Sequence, residues 1–281
     1  THLTSLSALI FNKLDNPVYK NIIDDGMTVE PEYYMPIIPL VLVNGTDGIG
    51  TGWSSNIPQY HPNELIANLR RLMNDEEVKE MTPWYRGFKG KVIRIGRNQW
   101  ITRGCYRMIG TDTIEVSELP IGVWTDNFRV LLDELILGQP KEKKDKKGRP
   151  IKKGRRPTTK KDEDVPLLKD YKNESSESQV KFTLKFDYDI LTLLMSTKDK
   201  LGITKLESTF RFVSRISCGK RLNVYDDKLK LHTFTSPEEI LEHYYHIRLD
   251  FYQRRKDYMI AKLEQDIWLM SVKFKFIIDV I

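Results

Sequence analysis

A glycine-rich segment carries the residues of this chain that are best placed to bind another molecule. Within residues 31–62, an apolar run stops abruptly and is followed by Gly48, Gly50 and Gly52 at alternate positions. Glycines let a backbone lie against a surface that a side chain would hold off. Ile49 stands between two of them, and an apolar side chain at a loop tip is expected to insert into something apolar.

Two phosphate-binding interpretations of this segment fail on spacing. Gly45 and Gly50 are separated as in a mononucleotide P-loop, but no lysine follows within reach. A dinucleotide-binding fingerprint needs a third glycine where Trp53 stands. A purely structural alternative stays open from composition alone, namely a tight turn that tucks Ile49 into the protein's own core.

A second candidate lies at residues 211–221, RFVSRISCGKR, where basic and hydroxyl side chains alternate with apolar ones. Arginine and serine suit contact with phosphate oxygens, which positions a duplex without reading its sequence. The alternative interpretation is an edge strand with a solvated basic face. The side chains concerned are Arg211, Ser214, Arg215, Ser217 and Lys220.

Other candidate chemistry is weak. His243 and His246 lie three residues apart on a predicted helix, but no third metal ligand is nearby in the sequence. Glu30 and Glu32 flank a proline, and nothing fixes them as a catalytic pair. We therefore predict no catalytic residue and no metal ligand in this chain.

The glycine-rich segment nonetheless resembles a known family. The strings EPEYYMPIIP, VNGTDGIGTGWS and NIP are similar at nearly every position to the start of the DNA-bending region of type IIA DNA topoisomerases, in the form of eukaryotic topoisomerase II. The similarity extends over most of the chain. It implies that Ile49 intercalates between base pairs and kinks the duplex, with Gly48 and Gly50 allowing close approach. It also implies that the segment from about Arg211 to Lys220 touches the DNA backbone.

The resemblance has consequences for the chemistry of the whole protein. The catalytic tyrosine of the family is expected three residues upstream of Thr1, and the acidic metal-binding cluster in a separate upstream domain. Tyr19, Tyr33 and Tyr34 do not match the context of that tyrosine. The family implies a nuclear, homodimeric, ATP-hydrolysing isomerase that requires Mg²⁺ and ATP and acts on double-stranded DNA. This chain is expected to hold no cofactor and, because it does not begin with Met, to be an excised fragment that is inactive alone.

Composition excludes several classes of protein. The chain has 281 residues, 40% of them hydrophobic, enough for a substantial core. It has no apolar run long enough to cross a membrane and no signal-peptide pattern. Cys105 and Cys218 lie far apart and are interpreted as structural cysteines in a reducing compartment.

The net charge of +6 comes from one low-complexity stretch. Residues 141–164 contain twelve Lys/Arg and five Asp/Glu, a balance of +7, so the remaining chain is near −1. A stretch with so few apolar residues cannot bury enough surface to order itself, and it is predicted to be a disordered insertion. Its charge favours non-specific, salt-sensitive attraction to phosphates.

The elements that position these residues predict an α+β protein in three parts. Residues 1–38 begin with a helical pattern and correspond in the family to the tail of a winged-helix domain. Residues 39–235 mix helices with strand patterns at 92–95, 113–116 and 180–186, and correspond to the mixed α/β tower that bends DNA. A helix is predicted from Asn63 to Met73. The tryptophans expected in the core are Trp53, Trp84, Trp100 and Trp124.

Residues 236–281 predict one long helix that starts a coiled-coil arm. Ser236, Pro237 and Glu239 provide a helix cap, a first-turn proline and a capping-box glutamate. Apolar residues then recur at alternating steps of three and four, with a break at residues 254–256 that is interpreted as a stutter. Such a stripe needs a partner helix.

Two functions from different classes remain. The first is a DNA-gate segment of a type IIA topoisomerase that binds and bends the duplex to be cleaved. The second is a non-enzymatic coiled-coil protein whose basic segment meets nucleic acid or an acidic partner. Ile49 distinguishes them, because a scaffold has no reason to expose isoleucine on a glycine-rich tip.

Overall fold

The computed structural model describes residues 2–137, 166–219 and 221–280. Its α-helices within these ranges are α1 (Ser5–Ile10), α2 (Leu40–Asn44), α3 (Pro62–Met73), α4 (Thr125–Leu137), α5 (Tyr188–Ser196), α6 (Lys205–Thr209) and α7 (Pro237–Val280), and a 3-10 helix spans Lys13–Val18.

Short antiparallel strands make up the rest of the regular structure. They are β1 (Asn21–Asp24), β2 (Met27–Pro31), β3 (Thr46–Ile49), β4 (Ser54–Ile57), β5 (Lys91–Gly96), β6 (Gln99–Arg103), β7 (Cys105–Met108), β8 (Thr113–Glu118), β9 (Asp170–Asn173), β10 (Phe182–Lys185), β11 (Val213–Ser217), β12 (Leu222–Tyr225) and β13 (Leu231–Phe234). The α+β class predicted from the sequence is confirmed.

The chain divides into two compact units, which are described separately. Unit 1 comprises residues 1–85 and 218–281, and unit 2 comprises residues 86–217. The division into domains predicted at 1–38, 39–235 and 236–281 has different boundaries from these two units, and it stays a prediction. The predicted insertion at 141–164 lies outside the described residues.

The core of unit 1 brings segments from both ends of the chain together. Its buried side chains come from α2, β4, α3, β12, β13 and the first turn of α7: Leu42, Ile57, Tyr60, Leu65, Met81, Leu222, Phe234, Ile240 and Leu241. Helix α3 confirms the amphipathic helix predicted from Asn63 and places Leu65 at its fully buried position. Three hairpins, β1–β2, β3–β4 and β12–β13, belong to this unit.

The start of α7 is set by the residues that the sequence indicates. The Ser236 hydroxyl accepts a hydrogen bond from the Glu239 N–H at 3.2 Å, and the Glu239 carboxylate accepts one from the Thr235 N–H at 2.7 Å. The first bond satisfies a backbone donor that the helix start leaves open, and the second ties the preceding residue to the first turn. The backbone bond from Thr235, the first of several hydrogen bonds, lowers the pKa of Glu239.

A buried ion cluster joins α7 to the N-terminal region of unit 1. Asp15 is fully buried in the 3-10 helix, and its carboxylate meets the guanidinium of Arg248 at 2.8 Å and that of Arg255 at 3.3 Å. Nearby, the Tyr244 hydroxyl donates to the Pro36 carbonyl at 2.6 Å. Helix α7 is continuous through residues 254–256, as the long helix predicted from the sequence requires, and Arg255 in this segment pairs with Asp15.

In its described residues, 86–137 and 166–217, unit 2 contains two sheets and three helices. One sheet has the order β7-β8-β10-β9 and the other β11-β6-β5, and all pairs are antiparallel. Side chains of β8, β10, α4, α5 and α6 form a single apolar core that includes Phe128, Phe182, Phe186, Phe210 and Phe212. The strand predicted at 180–186 is present but shorter, at Phe182–Lys185.

Two of the tryptophans that the sequence places in the core, Trp84 and Trp124, are not buried. The sequence predicts Trp124 in a core, yet 73% of its surface is exposed at the position immediately before α4. Trp84 is also partly exposed, whereas Trp100 is buried as predicted. The helix predicted at the N-terminus exists as α1, but none of its residues is buried.

Candidate nucleic-acid interface

The glycine-rich segment folds into a β-hairpin, residues 46–57, which we call the Ile49 hairpin. In its register Thr46 pairs with Ile57 at the base, and Ile49 pairs with Ser54 near the tip. The Gly50 N–H donates to the Trp53 carbonyl at 2.8 Å and closes the turn. The hairpin therefore places Ile49 one residue from the turn, at the end of a paired strand.

The exposure of Ile49 settles the structural alternative left open by its sequence. Its side chain is 93% exposed, whereas Ile57 at the other end of the same hairpin is 3% exposed and belongs to the core of unit 1. The turn does not tuck Ile49 into the protein. An exposed apolar side chain on an anchored hairpin is the geometry expected of a group that inserts into a partner.

The structure gives a reason for glycine at position 50 but none at position 48. A Cβ on Gly50 would lie 2.6 Å from the Trp53 indole, so the fold itself requires glycine there. A Cβ on Gly48 would meet nothing within 4 Å. Packing inside the protein therefore does not explain Gly48, whereas the close approach of a partner would.

Strand β12 supports the Ile49 hairpin, which the sequence did not predict. The Asn56 N–H donates to the Arg221 carbonyl at 2.9 Å, and the Asn223 side-chain amide donates to the Ser54 carbonyl at 2.6 Å. Nearer the tip, the Trp53 ring meets the Tyr225 ring edge-on, with centroids 5.9 Å apart. Because 169 positions of sequence separate Ser54 from Asn223, no local sequence signal could have paired them.

The basic segment forms the edge strand β11, and the predicted solvated basic face is present. Arg211, Arg215 and Ser217 are exposed. Successive side chains of a strand point to opposite faces, so Ser214 lies on the face opposite Arg215 and Ser217. Arg211 has a left-handed backbone, φ 52°, a strained conformation for a residue other than glycine. Lys220 lies outside the described residues.

Ile49 belongs to unit 1, and the residues from Arg211 to Ser217 belong to unit 2. The two candidate surfaces therefore lie in different compact units.

The tyrosines near the N-terminus are engaged in packing. Tyr19 accepts a hydrogen bond from the Met35 N–H at 3.3 Å, and burial raises the pKa of its hydroxyl. Tyr33 packs against Phe251, and burial raises its pKa as well. Tyr34 packs edge-on against Tyr19 at 5.8 Å. A raised pKa disfavours the phenolate, so Tyr19 and Tyr33 are poorly suited to act as nucleophiles.

Three weak acids of unit 1, Tyr60, Tyr85 and Cys218, lie close to one another. Burial raises the pKa of the Cys218 thiol to about 11 and that of Tyr85 to about 12. Burial likewise raises the pKa of Tyr60, whose hydroxyl is beside Cys218. A thiol with a raised pKa is unreactive, which agrees with a structural role for Cys218.

The histidine and glutamate side chains singled out in the sequence contact neighbouring side chains of the fold. The His243 ring lies 5.8 Å from that of His232 and 5.5 Å from that of Phe234, while Glu32 pairs with Lys20 at 2.5 Å. In the part of the chain that the structure describes, no three His, Cys, Asp or Glu side chains form a group that could hold a metal ion. Within the same ranges, no helix combines the length and hydropathy needed to cross a membrane.

Comparisons with known proteins agree with this geometry. The sequence profile of the DNA gyrase/topoisomerase IV A-subunit family matches residues 1–281. DNA topoisomerase 2 of Saccharomyces cerevisiae is 36% identical over 277 residues, which cover 99% of this chain and 17% of that protein. DNA topoisomerase 2 of Plasmodium falciparum is 34% identical over 281 residues, covering 100% of this chain and 18% of that protein.

A solved structure is also similar over nearly the whole chain. It is the crystal structure of the Plasmodium falciparum topoisomerase II DNA-binding, cleavage and re-ligation domain, with 34% identity and a TM-score of 0.79. The match covers 99% of this chain and 34% of that one. The chain thus spans less than a fifth of each of these two curated relatives.

Proposed function

The chain belongs to the DNA gyrase/topoisomerase IV A-subunit family, and from that membership we propose that it binds and bends duplex DNA within the DNA gate of a type II topoisomerase. The whole protein would pass one duplex through a transient double-strand break in another. The relatives named DNA topoisomerase 2 and the solved DNA-binding, cleavage and re-ligation domain support this proposal.

The observation that carries the proposal is the exposure of Ile49. It is 93% exposed at the end of a strand whose base is buried, and the neighbouring Gly48 leaves open space for a close partner. An apolar wedge of this kind partly unstacks a base step at a cost of about a few kcal/mol, which contacts to the bent duplex offset. Insertion would also remove the Ile49 side chain from water.

Phosphate contacts would hold the duplex while the wedge acts. We assign these contacts to Arg215 and Ser217 on the exposed face of β11 and to Arg211, two residues before that strand, with Ser214 and Lys220 as further candidates from the same segment. Such contacts add affinity that depends on salt and carry no sequence information. The surface is therefore suited to a protein that bends many different sequences.

The long helix α7 would begin a coiled-coil arm that joins two copies of the protein. Its second half exposes apolar residues spaced by three and four: Ile260, Leu263, Ile267, Met270, Phe274 and Ile277. A stripe of this kind is buried by a partner helix. The homodimer, like a nuclear location, is part of the proposal for the whole protein.

The chemistry of cleavage is assigned outside the described residues. The family implies Mg²⁺ and ATP for the whole protein, but the described residues offer no group of acidic side chains suited to a metal ion, and no step through either is assigned to them. The tyrosines near the N-terminus pack against neighbouring groups. The alternative of a non-enzymatic coiled-coil protein has no support from the family match.

A bending measurement tests the proposal. The full-length protein should shorten the end-to-end distance of a duplex labelled at both ends, as measured by energy transfer at saturating protein. With ATP and Mg²⁺, it should change the linking number of a supercoiled circle in even steps. A duplex that stays straight when saturated would contradict the proposed role of Ile49.

A further inference from the structure

The support of the Ile49 hairpin continues along its second strand, from the base to the turn. Residues 221, 223 and 225 meet residues 56, 54–55 and 53 in turn, so that β12 follows β4 towards the tip. At the base this contact uses backbone atoms, and near the tip it uses the side chains of Asn223 and Tyr225. The wedge therefore does not stand on a free hairpin.

Asn223 makes three hydrogen bonds that join three strands. Its amide Nδ2 donates to the Ser54 carbonyl at 2.6 Å, and its Oδ1 accepts from the Thr233 hydroxyl at 2.7 Å. Its backbone carbonyl accepts from the Ser55 hydroxyl. Ser54 is paired with Ile49 across the hairpin. One side chain thus fixes the residue opposite the wedge relative to β12 and β13.

Tyr225 acts two residues further along the same strand, on the same face as Asn223. Its ring meets the edge of Trp53, and the Trp53 indole covers Gly50, where no Cβ would fit. Gly50 is bonded directly to Ile49 in the chain. The ring contact therefore supports the turn immediately beside the wedge.

We propose that Asn223 and Tyr225 are positioning residues that set the direction in which Ile49 enters the duplex. This inference rests on the proposed function of Ile49. Neither side chain needs to touch DNA. Partial unstacking demands that the wedge meet a base step at a fixed angle, and small misplacements of a positioned group reduce rates strongly, by about a hundredfold for a shift of roughly 1 Å.

The test uses a substitution that keeps the shape, replaces the donating amide by a carboxylate and adds one negative charge, as the control Asn68→Asp also does. Asn223→Asp in the full-length protein loses the Nδ2–H that bonds Ser54 and keeps an acceptor for Thr233. We expect a smaller bend at saturating protein and a loss of DNA cleavage of about tenfold or more. Tyr225→Leu, at a residue that is more than half exposed, should give the same effects with little change in melting temperature.

Asn68→Asp is the matched control. Asn68 is a buried asparagine of the same unit that bonds the Lys79 carbonyl and N–H at 2.8 and 3.1 Å, away from the hairpin. It should lower the melting temperature while leaving the bend of the folded protein unchanged. A duplex with a mismatch at the wedge step unstacks more easily, so it should restore cleavage to Asn223→Asp, and it should change cleavage by the control no more than it changes cleavage by the wild type.

The outcomes separate the inference from the proposal on which it rests. If Ile49→Ala abolishes the bend and both Asn223→Asp and Tyr225→Leu bend DNA as the wild type does, the positioning role is wrong and the wedge stands. If Ile49→Ala also bends DNA normally, the proposed function of the hairpin fails. Equal effects of Asn223→Asp and Asn68→Asp on the bend would reduce Asn223 to a general stabilising residue.

Discussion

At the scale of single residues, the two isoleucines of the Ile49 hairpin illustrate how position decides role. Both are branched apolar side chains of one hairpin, yet Ile57 is buried in the core of unit 1 and Ile49 is almost wholly exposed. Burial stabilises the fold in proportion to the area removed from water. Ile49 gains that stabilisation only when a partner covers it.

Ile49→Ala should therefore separate function from stability. We expect DNA bending and cleavage to fall sharply with the melting temperature nearly unchanged, because the side chain contributes no burial in the free protein. Ile57→Ala, in contrast, should cost about 2–5 kcal/mol of unfolding free energy. Energy transfer on a labelled duplex, beside a thermal melt of each variant, makes the comparison. A strongly lowered melting temperature for Ile49→Ala would refute the wedge.

The glycines on either side of Ile49 give a second pair of contrasting variants. Gly48→Ala adds a methyl group into open space and should leave the melting temperature unchanged or slightly higher, while hindering the approach of DNA. Gly50→Ala places a methyl group 2.6 Å from the Trp53 indole and should destabilise the turn itself. Duplex affinity and thermal melts are measured for both. Normal affinity of Gly48→Ala would show that the backbone there does not contact DNA.

At the scale of elements, α7 has two halves with different surroundings. Its first half packs on unit 1 through Ile240, Leu241 and Phe251 and through the ion cluster around Asp15. Its second half exposes apolar side chains along most of its length. Arg255 falls in the break of the apolar pattern at residues 254–256, and its guanidinium pairs with the buried Asp15 carboxylate, as that of Arg248 does.

Removing that carboxylate should loosen the base of α7. Asp15→Asn leaves Arg248 buried without a counter-charge, and breaking a buried pair in this way costs about 3–5 kcal/mol. Asp250→Asn is the control, because its pair with Arg254 is exposed within one helix and is worth about 0.3–0.5 kcal/mol. Denaturant unfolding of the two variants measures the difference. Equal losses would mean that the Asp15 cluster is not buried in solution.

At the scale of the whole molecule, charge is distributed very unevenly along the chain. Residues 141–164 carry a balance of +7, and the rest of the chain is near −1. That segment lies outside the described residues, so its contribution is argued from its charge alone. Cations that meet phosphates release counterions, which makes affinity fall as salt rises.

Neutralising the segment should flatten the salt dependence of DNA binding. Replacing its Lys and Arg residues with Gln keeps its length and removes its positive charge. Each phosphate interaction that the substitutions remove should reduce the slope of log affinity against log salt by about 0.9. Binding titrations of the full-length protein across a salt series measure the slope, and a thermal melt checks that the variant is folded. An unchanged slope would exclude contact between this segment and DNA.

The sequence by itself determined the family and the local elements of this protein. The motif around Ile49 led to the type IIA topoisomerase family, which the family match confirms. Local rules also sufficed for α3, for the cap of α7 at Ser236 and for the edge strand at 213–217, because helix and strand periods and capping residues act within a few positions. The roles of Arg211, Ser214, Arg215, Ser217 and Lys220 in DNA binding stay predictions.

Only the tertiary structure decided which of these faces meet. Asn223 bonds Ser54 and Arg248 bonds Asp15 across 169 and 233 positions of sequence, and neither pair has a local signal. The periodicity of apolar residues predicts which face of a helix or strand is buried, but it does not identify the segment that packs against that face. For the same reason Trp124 was misplaced in the core and Ile49 kept two interpretations until the Ile49 hairpin, held along β12, showed its side chain in solvent.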